Sequence, residues 1–268
     1  MELPEQHELE HRGGDTIQIR GDYQARALRS DRAAQRFWHE AKFRLIERVA
    51  MPGKSDRVLD AGCGSGTISH FLSSYAGDVT GIDSNPSAIS YARDTFKAPN
   101  LRFRVGQFDD LKGDKPFDRI YCIEVIEHLY EHQVAEVLGL FYKLTNPGGQ
   151  LFLTTPNYRS AWPVIEWLLD RSALVAKLQE AQHVTRFTKR KLATMCRRAG
   201  WKVHHIGTFN GVSPFIAPIS RGLALGMERL EFLFNRLLPQ NLLFCLCTRD
   251  TGLAAGNDEP RETRDFRN

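Results

Sequence analysis

Val58-Leu59-Asp60-Ala61-Gly62-Cys63-Gly64-Ser65-Gly66, then Thr67 to Gly77, then Val79-Thr80-Gly81-Ile82-Asp83, is the stretch that decides the fold. It reads as an apolar strand, a turn of alternating glycines, a helix closed by Gly77, and a second apolar strand ending on a carboxylate. The glycines give a tight turn and let backbone come close to a ligand. Their GxGxG spacing differs from the GxGxxG of a dinucleotide site, where a pyrophosphate sits at the helix N-terminus. A nicotinamide-dependent dehydrogenase is therefore disfavoured. Asp60, just before the glycines, suits a cationic ligand, and Asp83, ending the second strand, can accept both hydroxyls of a ribose.

The same alternation extends outward. Pro86 starts a helix over PSAISYARDTF, LRFRVG is strand three, and DRIYCIE is strand four. A helix over about 133–144 and an NPGG turn lead to strand five, QLFLTTP. Upstream, Ser30 or Asp31 would cap a helix running to Ala50, with Phe37, Phe43, Leu45, Ile46 and Val49 on its buried side. Downstream come a helical insertion at about 158–182 carrying Trp162, Ile165, Leu168 and Leu169, and a basic helix, TKRKLATMCRRAG. Strand six, KVHHIGTF, a second helical piece at about 216–238 and a closing strand, NLLFCLCTR, complete the series. The expectation is an α/β, Rossmann-like, doubly wound and mainly parallel sheet of seven strands. One domain would occupy 31–250, between a polar segment 1–30 and a polar tail 251–268 expected to be disordered.

VLDAGCGSG and GIDSNPSAISYAR resemble the first two motifs of the class I S-adenosylmethionine-dependent methyltransferases, and the resemblance runs from about Arg57 to Phe209. It implies that Asp60, Gly62, Cys63, Gly64, Gly66, Asp83 and Ser84 border S-adenosylmethionine. It also implies that Gln107 and Phe108 flank the adenine, and that backbone near Ile123 touches the cofactor. Lys42 or Arg44 would reach the cofactor carboxylate.

Strand four ends in Glu124-Val125-Ile126-Glu127-His128, and one helical turn would gather its two carboxylates and imidazole. Such a set can hold a divalent metal, magnesium or zinc, with open positions for an acceptor hydroxyl. His183, in EAQHVTRFT, is a fourth candidate ligand. The arrangement resembles the ubiquinone-biosynthesis O-methyltransferases and the small-RNA terminal 2′-O-methyltransferases. The alternative is a metal-free pocket, as in relatives whose Glu-His pair after strand four, here Glu127-His128, shapes the cofactor site through the glutamate while the histidine is structural. Without a metal, His183 or His128 would be the first candidate for general base. TTPN at the end of strand five resembles the quinone and glycolipid branches of the family, a resemblance that implies Asn157 and Tyr158 border the substrate; the alternative is a simple strand-ending turn.

The chain has 268 residues, a formal charge of +4 and 42% hydrophobic residues, enough for a sizeable core. Five cysteines show no CxxC or zinc-finger spacing, and Cys245 and Cys247 would share one strand face in the core. No signal-peptide core or membrane-length apolar run is evident, so a cytoplasmic location is expected, with peripheral membrane contact through the 160–180 insertion. Mild basicity and the lack of an RNA-binding module disfavour a nucleic-acid substrate. The leading expectation is O-methylation of a small, lipid-linked or glycosylated hydroxyl compound. The alternatives are N-methylation of an amino sugar or similar amine, and a non-catalytic cofactor-binding partner subunit.

Overall fold

The computed structural model describes residues 22–161, 163 and 183–251. Seven strands form one sheet in the order β3-β2-β1-β4-β5-β7-β6. They are β1 (Arg57–Ala61), β2 (Asp78–Asp83), β3 (Leu101–Val105), β4 (Phe117–Ile123), β5 (Thr145–Pro156), β6 (Lys202–Phe209) and β7 (Leu242–Thr248). All pairings are parallel except those of β7, which runs antiparallel to both neighbours. The helices are α1 (Tyr23–Leu28), α2 (Ala33–Val49), α3 (Thr67–Ser73), α4 (Pro86–Thr95), α5 (Glu131–Leu144), α6 (Lys189–Arg198), α7 (Ser213–Ile216) and α8 (Arg221–Leu233).

The sheet is buried on both faces, which is why its central strands read as nearly continuous apolar runs. On one face Leu59, Ile120 and Leu151 pack with Val134, Leu138 and Phe141 of α5 and Leu192 of α6. On the other, Val58, Val79 and Tyr121 meet Leu45 and Ile46 of α2 and Ile68 and Leu72 of α3. Each such side chain contributes about 1.5–3 kcal/mol on burial. The strand order reverses between β1 and β4, so the crevice beyond the carboxyl ends of these strands is where a ligand is expected.

Several expectations shift. Neither Ser30 nor Asp31 caps α2: the cap position is Arg32, without a side-chain bond, and Ser30 Oγ instead donates to Gln35 at 2.8 Å. Of the expected buried side of α2, Phe37, Leu45 and Ile46 are buried, while Phe43 and Val49 are only partly so. The second helical piece is two helices, α7 and α8. Helix α1 was not anticipated, because a six-residue helix in a polar segment carries little periodicity. Trp162, Ile165, Leu168, Leu169, most of the 158–182 insertion, the first 21 residues and the tail beyond 251 lie outside the described residues.

Candidate active site

β1 delivers Asp60 and the glycine turn to the crevice. Gly62, Gly64 and Gly66 all have positive φ (76°, 49° and 78°), and a Cβ on Gly62 would lie 2.5 Å from Val125. These positions admit glycine for conformation and for space. The turn is tied to β2 by Gly62 N–H donating to Ile82 O at 2.8 Å and by Gly64 N–H donating to Asp83 Oδ2 at 2.9 Å. Asp83 Oδ1 also accepts from Asn85 N–H at 2.8 Å. Asp83 thus holds the loop in shape while standing at the crevice rim, and Ser84 beside it is exposed.

Asp60 is buried and accepts from Ser69 Oγ at 2.6 Å. Burial pushes its carboxyl up to about 7; the Ser69 hydrogen bond opposes this and the negative Asp83 adds to it. A buried carboxylate of this kind is stabilised by a cation brought next to it. Gln107 begins the short 3-10 turn Phe108–Leu111, its N–H donating to Asp110 at 2.8 Å, and Phe108 packs against Phe141 with ring centroids 5.3 Å apart. Cys63 and Ile123 are buried.

Whether these residues fit an adenosyl ligand is tested by the polar atoms around the loop. Ser65 Oγ and Gln24 Oε1 are both buried without a hydrogen-bond partner. Gln24, on α1, lies over the loop, its amide 3.2 Å from where a Gly64 Cβ would be. Buried polar atoms normally find partners, so orphans beside a glycine loop mark a place where a polar ligand would supply them. The donor and acceptor set fits.

Glu124 follows β4 in the left-handed region (φ 54°), its N–H bonded to Thr154 O at 3.0 Å. A non-glycine residue held there costs of order 1–3 kcal/mol and needs support. Lys42 of α2 provides it through an ion pair with the Glu124 carboxylate. Arg44, the other basic residue expected near the cofactor carboxylate, pairs with Glu228 at 2.7 Å and with Glu40 at 3.2 Å. Lys42 is the one at the crevice, though its ammonium is engaged by Glu124.

The four expected metal ligands are not gathered as one set. Glu127, His128 and His183 bring ligand atoms within 4.8 Å of one another, while Glu124 is outside that group because Lys42 holds its carboxylate. His183 arrives because its segment is stitched along the turn Ile126–His128. Thr185 N–H donates to Glu127 O at 3.0 Å, and Thr185 Oγ1 donates to Leu129 O at 2.5 Å. The His128 and His183 rings are 5.3 Å apart. Glu127 is buried, accepts from Thr155 Oγ1 at 3.1 Å, and is pushed above the usual carboxylate range by burial, with the two histidines opposing. The Tyr158 hydroxyl meets His183 Nδ1 at 3.0 Å. Asn157 turns inward instead, buried and donating to Gln240 O at 2.8 Å. The sequence alone did not point to Gln24, Ser65, Ser69 and Thr155; of these only Ser69, in the first turn of α3 beside the glycine loop, had a position that pointed back to the strand end.

The family profile described as a methyltransferase domain matches residues 31–206. The ubiquinone biosynthesis O-methyltransferase of Xanthomonas campestris is 36% identical over 114 residues, 41% of this chain and 46% of the relative. The chain thus spans about half the length of the curated relatives it matches. A methyltransferase structure from Archaeoglobus fulgidus superposes with a TM-score of 0.59 at 19% identity, covering 84% of this chain and 97% of that one. One from Mesorhizobium loti gives 0.57 at 16%, covering 78% and 98%. These two establish the fold. With the profile spanning the glycine loop, both acidic strand ends and the histidine cluster, the chain belongs to the methyltransferase-domain family as a class I S-adenosylmethionine-dependent member.

Proposed function

We propose that the chain methylates a hydroxyl oxygen of a small, lipid-linked or glycosylated acceptor. The observation that carries this reading is the Glu127–His128–His183 cluster, with the Tyr158 hydroxyl against His183 Nδ1, at the carboxyl edge of the sheet that also bears the cofactor loop. S-adenosylmethionine, when bound, would supply an electrophilic methyl on a sulfonium whose leaving group is a neutral thioether. Asp60 and Asp83 provide the negative side of its site. His183 takes the acceptor's hydroxyl proton: when Nδ1–H donates to the Tyr158 oxygen, the lone pair stays on Nε2. The acceptor oxygen, so deprotonated, would be the nucleophile toward the donor's methyl, and the proton would stay on the His183 imidazole. The rest of the chain's contribution is alignment, since the donor is already activated.

Glu127, His128 and His183 are the residues that would hold a magnesium or zinc ion, which would lower the acceptor hydroxyl's pKa. The likeness to ubiquinone biosynthesis O-methyltransferases supports an oxygen acceptor. The test is transfer from methyl-labelled donor to paired phenol and aniline acceptors carrying the same short isoprenoid tail. Label on the phenol oxygen, lost in His183→Gln, is expected. Label on the amine alone would transfer the assignment to N-methylation, and donor binding without any transfer would leave a non-catalytic subunit.

A further inference from the structure

Helix α8 is built inside out. Its inward face carries two carboxylates: Glu228 pairs with Arg44 at 2.7 Å and Arg48 at 3.5 Å, and Glu231 accepts from Ser213 N–H at 3.0 Å and Ser213 Oγ at 2.7 Å. Its outward face carries leucines. An ordinary surface helix has the opposite arrangement. The buried acids have dedicated partners, so α8 cannot roll over to hide its apolar side without leaving two carboxylates unpaired.

The apolar side extends beyond α8. Nine of the thirteen exposed large hydrophobics among the described residues fall between 212 and 238, so this is a patch and not scattered surface. Phe215, Ile219, Leu223, Leu230, Leu233 and Leu237 are each between 49% and 83% exposed. The hairpin that carries them springs from the carboxyl edge of the sheet: it leaves β6 after Phe209 and returns at Leu242, which is in register with Phe209 and with Pro156 at the end of β5. It stands on the same edge as the glycine loop and the histidine cluster.

The charges choose the occupant. The exposed charged residues between 212 and 238 are Arg221, Arg229 and Arg236; the two acids there are buried. Arg221 also pairs with Glu40 at 2.9 Å. A second copy of this face would set arginine against arginine with no exposed acid to answer it. Aliphatics with arginines among them match the interface of an anionic lipid bilayer, where the apolar groups enter the acyl boundary and the cations meet headgroups. Among the described residues no helix is long and apolar enough to cross a membrane. We propose that the 212–238 hairpin is an anionic-membrane docking surface that seats the active-site edge on the bilayer.

The inference extends the lipid-linked acceptor reading, and its test needs neither donor nor acceptor. The full chain is sedimented with vesicles of mixed phosphatidylglycerol and phosphatidylcholine, and with phosphatidylcholine alone. Wild type is expected to pellet with the anionic vesicles, less so as salt is added. Leu230→Ser with Leu233→Ser is expected to lower partitioning about tenfold or more, and Arg229→Gln with Arg236→Gln to remove the preference for anionic lipid. The substituted side chains are exposed, and unchanged donor affinity and melting temperature would confirm intact folding. Three results would overturn the proposal: wild type remaining in the supernatant, the serine variant pelleting like wild type (docking through another segment), or a wild-type dimer that the serine variant dissociates while neither binds vesicles. Vesicle binding without methyl transfer would sink the proposed function and leave the docking surface standing; transfer to a soluble acceptor without vesicle binding would do the reverse.

Discussion

Lys42 and Glu124 form an ion pair between α2 and the end of β4, with the lysine side chain only 6% exposed and the glutamate in left-handed backbone. Two costs are met by one contact: a desolvated ammonium and a strained carboxylate-bearing residue. Lys42→Met leaves Glu124 without its counter-charge and should destabilise the fold by about 1–3 kcal/mol, toward the low end because the carboxylate is a quarter exposed. Glu124→Gln in the same background should recover part of the loss. A double-mutant cycle by chemical denaturation reads the coupling, and additive single effects would mean that the pair does not support the turn.

If Asp60 faces the bound sulfonium, donor affinity should depend on pH near neutrality. Its carboxyl is held up to about 7 by burial, against an ordinary value of 3.8. A raised folded-state value means that this group's contribution to stability is complete below about pH 4 and is lost as pH rises through about 7. A cationic ligand prefers the ionised form, so S-adenosylmethionine affinity should rise by up to tenfold per pH unit below about 7 and level off above it. Binding should release a proton near pH 6. Calorimetry in buffers of different ionisation enthalpy measures that proton, and Asp60→Asn should abolish both the release and the slope.

How much of this could be read in advance follows from what each contact depends on. The glycine loop, Asp60 and Asp83 were legible because strand, turn and helix are local and each places its residues within one βαβ unit. The seven-strand sheet followed from repetition of that unit, with β7 reversed as the final strand. Glu127, His128 and His183 were named because a turn gathers neighbouring side chains and His183 matched a resemblance, yet separating Glu124 from them required Lys42, 82 residues away. No spacing rule links those two. The inside-out face of α8 was similarly hidden, since its periodic leucines look like a buried stripe until Glu228 and Glu231 are seen to own the inner side.

Two glycines should respond oppositely to alanine. Gly66 has φ of 78°, and an added Cβ would lie 2.7 Å from the Phe103 ring and 2.8 Å from Ala92 Cβ, so Gly66→Ala should destabilise by about 1–3 kcal/mol and weaken cofactor binding. Gly139 lies inside α5 with nothing within 4 Å of an added Cβ, so Gly139→Ala should stabilise by about 0.5–1 kcal/mol through a stiffer unfolded chain and better helix propensity. Thermal denaturation compares them; equal melting temperatures would contradict the geometry of the loop.

The Tyr158–His183 contact separates proton transfer from simple packing. If His183 accepts the acceptor's proton through Nε2, the phenol oxygen at Nδ1 sets the tautomer and ring angle. His183→Gln should then lower kcat by about 10²–10⁴ with donor affinity unchanged, the usual span for a lost general base. Tyr158→Phe keeps the ring and its packing with Arg186, whose guanidinium lies 5.4 Å from the ring centroid, so it removes only the hydroxyl. It should lower kcat by about tenfold with little change in KM, because the imidazole remains but its orientation is no longer fixed. Chelator treatment is the second arm. Loss of turnover restored by magnesium or zinc, and lost equally in Glu127→Gln, would assign the cluster to a metal. Turnover indifferent to chelator but sensitive to both His183→Gln and Tyr158→Phe would assign it to the imidazole alone, and a Tyr158→Phe enzyme with wild-type kcat would remove the phenol from the mechanism.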